Sequence, residues 1–173
     1  MLLRGTIIVV LAVITACTSG PSEQPGRLEK GKEERVDSFY EMSLKTIHGK
    51  KVQVTKSDKL IFVNFWATWC RPCIEEMPSI FRLRDKVGDK VDFFLLSYEE
   101  PERINTFEMK LNTKLPLYSY DERELPERLQ SAVLPYTVVM YQGKVLFEKT
   151  GSTVWDSESM VKYLGELKSK TNE

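Results

Sequence analysis

The sequence predicts an α/β domain built on a central mixed β-sheet flanked by helices. Residues 60–67 and 91–96 are nearly continuous apolar runs of strand length, the pattern of strands buried on both faces. The stretch between them, 71–87, favours a helix, so strand, helix and strand follow one another. Later, residues 136–141 and 145–149 flank Gln142-Gly143-Lys144, a hairpin with glycine at its turn, and a further helix follows.

Taken in order, residues 39–47 and 51–54 are strand-like runs joined by His48-Gly49-Lys50, which predicts an N-terminal β-hairpin with His48 as a turn residue. Pro72 falls in the first turn of the 71–87 helix, where a missing N–H is tolerated, and Gly88 follows its end. Pro78 lies inside that helix, where proline normally costs about 3 kcal/mol and forces a kink. Pro101 opens a helical stretch carrying Ile104, Phe107, Met109 and Leu111. A short strand is expected over 115–120 and a short helix over 124–130. The last helix starts near Asp156 and puts Met160, Val161, Leu164 and Leu167 on one face.

The chain has 173 residues, enough for one domain with a short appendage. Lys+Arg and Asp+Glu are 25 each, so there is no basic excess to hold phosphates, which argues against a nucleic-acid partner. One histidine rules out a multi-histidine metal centre, and three cysteines are too few for a disulfide-rich miniprotein. What remains is a small domain whose chemistry runs on cysteine.

Residues 1–16 carry Arg4 as their one charge and then an apolar run, 5–14, too short for a comfortable membrane span. Its length suits the core of a secretory signal. Ile14-Thr15-Ala16-Cys17 resembles the lipobox of bacterial lipoproteins, in which the signal is cut before the cysteine and the cysteine is lipidated. The chain thus divides into a lipoprotein signal peptide, 1–16, a lipid-anchored flexible tether, 17–37, and a folded domain, 38–173. The tether is polar and rich in Gly, Pro and charge, so it buries too little surface to offset its chain entropy. Twenty residues of coil average roughly 25 Å end to end and stretch to about 70 Å, which lets the domain meet partners standing off a membrane. Export also places the two remaining cysteines outside the reducing cytosol.

Those two form Cys70-Arg71-Pro72-Cys73, where the buried strand stops and the helix starts. The unpaired N–H groups and the dipole of a helix N-terminus favour an anion, so the Cys70 thiolate is stabilised there. Cysteines three apart on an opening turn are close enough to form a disulfide. Cys70, outermost, is the expected nucleophile toward a partner disulfide, and Cys73, one turn in, the resolving thiol. Arg71 is expected to add positive charge beside Cys70. Zinc would need a second pair of ligands that the sequence lacks, so no metal is expected. A purely structural disulfide is the alternative at this point.

The run from Asn64 to Pro78, with Trp69-Cys70-Arg71-Pro72-Cys73 at its centre, resembles the active-site stretch of thioredoxin-fold proteins. More narrowly it is similar to the TlpA/ResA-like thiol–disulfide oxidoreductases, over roughly residues 38–168. The resemblance implies a thioredoxin-like fold with an N-terminal β-hairpin and a TlpA-type central insertion. It implies that Pro135 is a cis-proline packed against the cysteines and that the backbone before it, at Leu134, pairs with the substrate. The family usually has a small hydroxyl residue after this proline, where this chain has Tyr136. Glu76, three residues after Cys73 on the same helical face, matches an acidic residue that assists proton transfer at the buried thiol. Asn64 stands where cytosolic thioredoxins carry a buried aspartate, which favours Glu76 as the acid. Glu75 is expected to face water. Trp69, Arg71, Pro72, Leu134, Pro135 and Tyr136 make up the expected substrate surface.

The resemblance further implies an extracytoplasmic reductase with no cofactor beyond the Cys70–Cys73 disulfide. Its expected partners are a disulfide-containing exported protein, such as apocytochrome c, a membrane thiol electron donor, and the membrane itself through Cys17. Two other classes compete. A peroxiredoxin needs P-x-x-x-T-x-x-C, and this chain has Val63 and Ala67 at the proline and threonine positions. A non-catalytic thioredoxin-fold binding or assembly lipoprotein would use the cysteines for rigidity only.

Overall fold

The computed structural model describes residues 35–111 and 117–170, so the expected signal peptide, Cys17 and the expected tether up to residue 34 lie outside the described residues. Seven strands form one sheet: β1 (Ser43–Thr46), β2 (Lys51–Gln53), β3 (Leu60–Phe65), β4 (Val91–Ser97), β5 (Leu117–Ser119), β6 (Tyr136–Tyr141) and β7 (Lys144–Thr150). Their order across the sheet is β2-β1-β5-β4-β3-β6-β7. The central β5, β4 and β3 run parallel, and the remaining pairings are antiparallel. Three α-helices among the described residues are α1 (Arg71–Val87), α2 (Pro101–Leu111) and α3 (Glu158–Lys170). The sequence-predicted mixed sheet, the N-terminal hairpin β1–β2 and the late hairpin β6–β7 are all present.

Every residue of β3 is buried, and its side chains alternate between two cores. Leu60 and Phe62 join Met77, Ile80 and Leu83 of α1, Ile104 of α2, and Met160 and Leu164 of α3. Ile61, Val63 and Phe65 join a second cluster on the opposite face with Val36, Phe39, Met42, Leu125 and Leu129. Burial on both sides is why this run reads as unbroken apolar sequence. Fully burying one such side chain contributes about 1.5–3 kcal/mol. The buried residues of α1 include Cys73, Glu76, Met77, Ile80 and Leu83, so helical spacing brings one cysteine and one carboxyl inward together.

The sequence-based expectations shift in two places. Residues 37–41 form a 3-10 turn instead of extending the first strand. The neighbours Phe39 and Tyr40 are buried in the same cluster, whereas neighbours on a strand point to opposite faces. The helix expected over 124–130 is instead two 3-10 turns, Glu122–Glu124 and Glu127–Leu129, separated by Pro126 in an extended conformation. Of the strand expected over 115–120, the described part is β5; residues 112–116 lie outside the described residues.

Residues 35–37, expected to belong to the tether, pack on the domain: Val36 is buried, Arg35 bridges to Lys144, and Val36 N–H donates to the Gly143 carbonyl at 2.6 Å. Gly143 N–H donates in turn to the Tyr40 hydroxyl at 3.1 Å. Because β6 is antiparallel to β3, this hairpin lies at the end of the sheet away from the cysteines. Gly143 has φ +84°, and a Cβ there would meet Asp37 Oδ1 at 2.7 Å. Gly143→Ala is therefore expected to lower stability by about 1–2 kcal/mol, seen as a lower urea midpoint at unchanged slope. A variant as stable as the parent would show that the hairpin is not tied to the N-terminal turn in this way.

Candidate active site

β3 delivers the chain to a tight turn over residues 67–70, closed by Cys70 N–H donating to the Ala67 carbonyl at 3.1 Å. Cys70 is the N-cap of α1, and its Sγ accepts from Cys73 N–H at 3.3 Å. A sulfur thus occupies the place of the usual capping oxygen, facing N–H groups that have no partner within the helix. Cys70 and Cys73 are joined as a disulfide with Cα atoms 5.3 Å apart. Both sulfurs are buried, Cys70 at 4% exposure and Cys73 at 0%. Pro72 is exposed in the first turn of the helix.

The charge expected beside Cys70 is directed elsewhere. Arg71 Nε donates to Glu75 Oε1 at 2.8 Å, one turn along the helix, and the Arg71 side chain is 89% exposed. An exposed, paired guanidinium has little field left for the sulfur. The expectation that Arg71 stabilises the Cys70 thiolate is corrected by this i,i+4 pairing.

Glu76 is 3% exposed and bonded on both carboxylate oxygens. Oε1 accepts from Asn64 Nδ2 at 2.8 Å, and Oε2 accepts from Trp155 Nε1 at 3.0 Å and Thr153 N–H at 3.1 Å. Burial pushes its pKa above the ordinary glutamate range. The donors Trp155, Asn64 and Thr153, and the charge of Lys149, pull against that rise without cancelling it. Asn64 Nδ2 also donates to Thr137 Oγ1 at 2.9 Å. Its Oδ1 is buried without a partner among the described residues.

The Leu134–Pro135 peptide is cis. The Pro135 carbonyl accepts from Gly151 N–H at 2.9 Å, and Leu134 packs against the clusters on both faces of the sheet. Tyr136 is turned away from the cysteines: its side chain lies in the cluster opposite α1, 6% exposed and stacked on Phe65 at 5.8 Å. Its hydroxyl donates to Glu148 Oε2 at 2.9 Å. The expected contact of the Tyr136 side chain with substrate is thereby corrected to a packing role. Trp69 is 60% exposed, and its Nε1 donates to the Tyr98 hydroxyl at 2.9 Å.

Three partners were not identified from sequence. Trp155 and Thr153 lie in the loop before α3, 77–79 residues from the carboxyl they hold, with no local pattern to announce them. Glu99 follows a parallel strand at its C-terminal end, and that position was the available signal. Among the described residues no group of three or more His, Cys, Asp or Glu side chains is placed to hold a metal.

The disulfide thus caps α1 just beyond β3, whose last residue, Phe65, pairs with Tyr136, the residue after cis-Pro135. The AhpC/TSA family model matches residues 36–152. The chain belongs to that family. Within the AhpC/TSA family it is a thiol–disulfide oxidoreductase of the TlpA/ResA-like, thioredoxin-fold kind. It is 28% identical to thiol-disulfide oxidoreductase ResA of Bacillus cereus (strain ATCC 10987 / NRS 248), covering 96% of each chain. It is 30% identical to ResA of Bacillus thuringiensis (strain Al Hakam) over 122 residues, 68% of each chain. The fold matches the crystal structure of the pneumococcal exposed lipoprotein thioredoxin Etrx1 from Streptococcus pneumoniae strain TIGR4. That match has a TM-score of 0.61 at 20% identity, covering 72% of this chain and 97% of the other. Val63 and Ala67, at the positions of the peroxidatic proline and threonine, are both fully buried apolar side chains.

Glu76 has a measurable consequence. Folded Glu76 holds its proton to a higher pH than the unfolded chain does. Between the two pKa values the native state binds more protons, so stability falls as pH rises through that window and levels off above it. Glu76→Gln, neutral throughout, is expected to remove this part of the fall. Urea unfolding of the oxidised protein from about pH 4 to 8 measures it. An unchanged pH dependence in the variant would place the titration elsewhere.

Proposed function

We propose that this enzyme is exported, is anchored to a bacterial membrane through lipidated Cys17, and works as a reductant of disulfides in exported proteins, apocytochrome c among them. Electrons come from a membrane thiol donor. The lipobox-like Ile14-Thr15-Ala16-Cys17 supports the anchor, and one structural neighbour is itself described as an exposed lipoprotein thioredoxin. No helix among the described residues is long and apolar enough to cross a membrane. The observation that carries the chemistry is the Cys70–Cys73 pair capping α1 with buried Glu76 one turn further in.

In the reduced enzyme the Cys70 thiolate attacks one sulfur of the substrate disulfide. A mixed disulfide forms and the other substrate sulfur leaves as thiolate. Cys73 gives up its proton and attacks the Cys70 sulfur, which releases the second substrate thiol and closes Cys70–Cys73. Two electrons pass from enzyme to substrate, and the thiol donor returns them. Glu76 is the acceptor for the Cys73 proton, because its raised pKa matches a proton that must leave a buried thiol. Leu134, before cis-Pro135, offers its backbone to the substrate, and exposed Trp69 and Pro72 add side-chain surface.

Three experiments test this reading. With dithiothreitol as electron source the enzyme is expected to accelerate insulin reduction, and Cys70→Ser to abolish the acceleration. In cells, Cys73→Ser is expected to accumulate mixed disulfides with exported proteins, which mass spectrometry identifies. Recovery of no mixed disulfide would overturn the reductase reading in favour of a scaffold. Cys17→Ser is expected to move the protein from the membrane fraction to the soluble one, and a protein that stays membrane-bound would refute the lipid anchor.

A further inference from the structure

The turn that presents Cys70 is held from outside by two consecutive residues after β4. Tyr98 takes the indole N–H of Trp69. Glu99 takes both polar groups of Thr68: Thr68 N–H donates to Oε2 at 2.6 Å, and Thr68 Oγ1 donates to Oε1 at 2.8 Å. Glu99 is 7% exposed, a burial that an ionised carboxylate tolerates only when its oxygens are bonded. Ser97 Oγ adds a bond to Oε2 at 3.2 Å. Arg103, one turn into α2, lies 2.7 Å from Oε1 and also donates from Nε to Thr68 Oγ1 at 3.0 Å.

We propose that Glu99, braced by Arg103, is a positioning residue for thiol–disulfide exchange: it clamps the 67–70 turn and so fixes the Cys70 sulfur on the N-terminal axis of α1. The backbone leads to this reading. Thr68 and Trp69 are the two central residues of a turn whose closing bond comes from Cys70 N–H itself. A turn of this size alone fixes its last residue loosely, since one backbone bond must offset the entropy of several dihedrals. The carboxylate grips the first central residue at its backbone and its side chain together, which sets both the plane of the turn and the exit direction of Cys70. The Cys70 sulfur then meets Cys73 N–H at 3.3 Å. Bonds to a charged acceptor are worth about twice neutral ones, so two of them outweigh the fraying expected of an exposed turn. Arg103 offsets the charge that Glu99 would otherwise bring to the turn that carries the thiolate.

The test uses Thr68→Val, Thr68→Ser and Glu99→Gln in the full-length reduced enzyme. Exchange with a small aromatic disulfide is followed, so that no protein-docking surface enters. The Cys70 thiol is titrated by its ultraviolet thiolate absorbance. Thr68→Val keeps shape and net charge but loses the hydroxyl that Glu99 and Arg103 share. It is expected to slow exchange roughly tenfold and to move the Cys70 titration up toward free cysteine, with the urea midpoint of the oxidised protein nearly unchanged. Thr68→Ser, which keeps the hydroxyl, restores both rate and titration. Adding Glu99→Gln to Thr68→Val costs less than the product of the two single effects, because both loosen one clamp. The proposal is overturned if Thr68→Val exchanges and titrates like the parent, if its rate loss merely tracks lost stability, or if the effects of the two substitutions multiply. Should Glu99→Gln fail to fold, the Thr68→Val and Thr68→Ser pair decides alone.

Discussion

Everything at this site depends on one placement: α1 begins at a sulfur. The first N–H groups of a helix have no carbonyl partner, and in most helices an oxygen from Ser, Thr, Asp or Asn meets them. Here Cys70 Sγ takes that position and Cys73 N–H points at it. A helix end that needs an electron-rich atom and a thiol that needs help to ionise satisfy each other. The rest of the local structure serves to deliver Cys70 to that point. β3 is gripped on both faces, the 67–70 turn is closed and clamped, and Cys73 is locked into the helix side of the core.

A second constraint sits one turn deeper. Burying a carboxylate costs several kcal/mol unless bonds replace its water. Glu76 obtains three donors from two separate places: β3 through Asn64, and the loop before α3 through Thr153 and Trp155. Trp155 is in turn fixed edge-on against Phe62 and Phe147, and its backbone N–H donates to Ser79 Oγ at 3.1 Å. The acid is therefore built into the packing of the helix-side core. The arrangement is also sided. Asn64 presents its amide N–H₂ to Glu76, as an ionised carboxylate requires, and leaves Oδ1 without a partner. Turning the amide over brings Oδ1 toward Glu76, where only a protonated carboxyl can supply the bond. The two amide orientations match the two protonation states, which suits the proton-accepting role proposed for Glu76.

The legible part of the sequence was the part governed by local pattern. The continuous run of β3, the strand-to-helix junction at Cys70, the turn at Gly143 and the apolar face of α3 each follow from spacing within a few residues. Glu76 was also accessible, because i,i+3 spacing puts it on the face of Cys73. Contacts across tens of residues were not. Thr68 and Glu99 are 31 positions apart, and Glu76 and Trp155 are 79 apart, so neither pair leaves a periodic trace. Two misreadings have local causes. Phe39 and Tyr40 are apolar neighbours that suit a strand and suit a 3-10 turn wedged between a sheet face and its edge equally well. Tyr136 was placed with the substrate because of its position after Pro135. Strand alternation sends its side chain to the opposite face, where Phe65 stacks on it.

The proposed direction of electron flow, toward a substrate disulfide, draws its support from what stands near the nucleophile. A dithiol becomes more oxidising as its reduced form is stabilised, by about 30 mV for each roughly 1.4 kcal/mol. A cation against Cys70 would raise the potential in this way. Arg71, the adjacent basic side chain, is spent on Glu75 in solvent. On the other side of the turn Glu99 and Arg103 form a pair whose charges offset each other. The helix N-terminus is then the main fixed field on the Cys70 sulfur. A thiolate held by a helix end alone gains less than one that also faces a free cation, so its dithiol lies further toward the reducing end. The same local pairing that corrects the expected role of Arg71 thereby supports the proposal that electrons pass from this dithiol to a substrate disulfide.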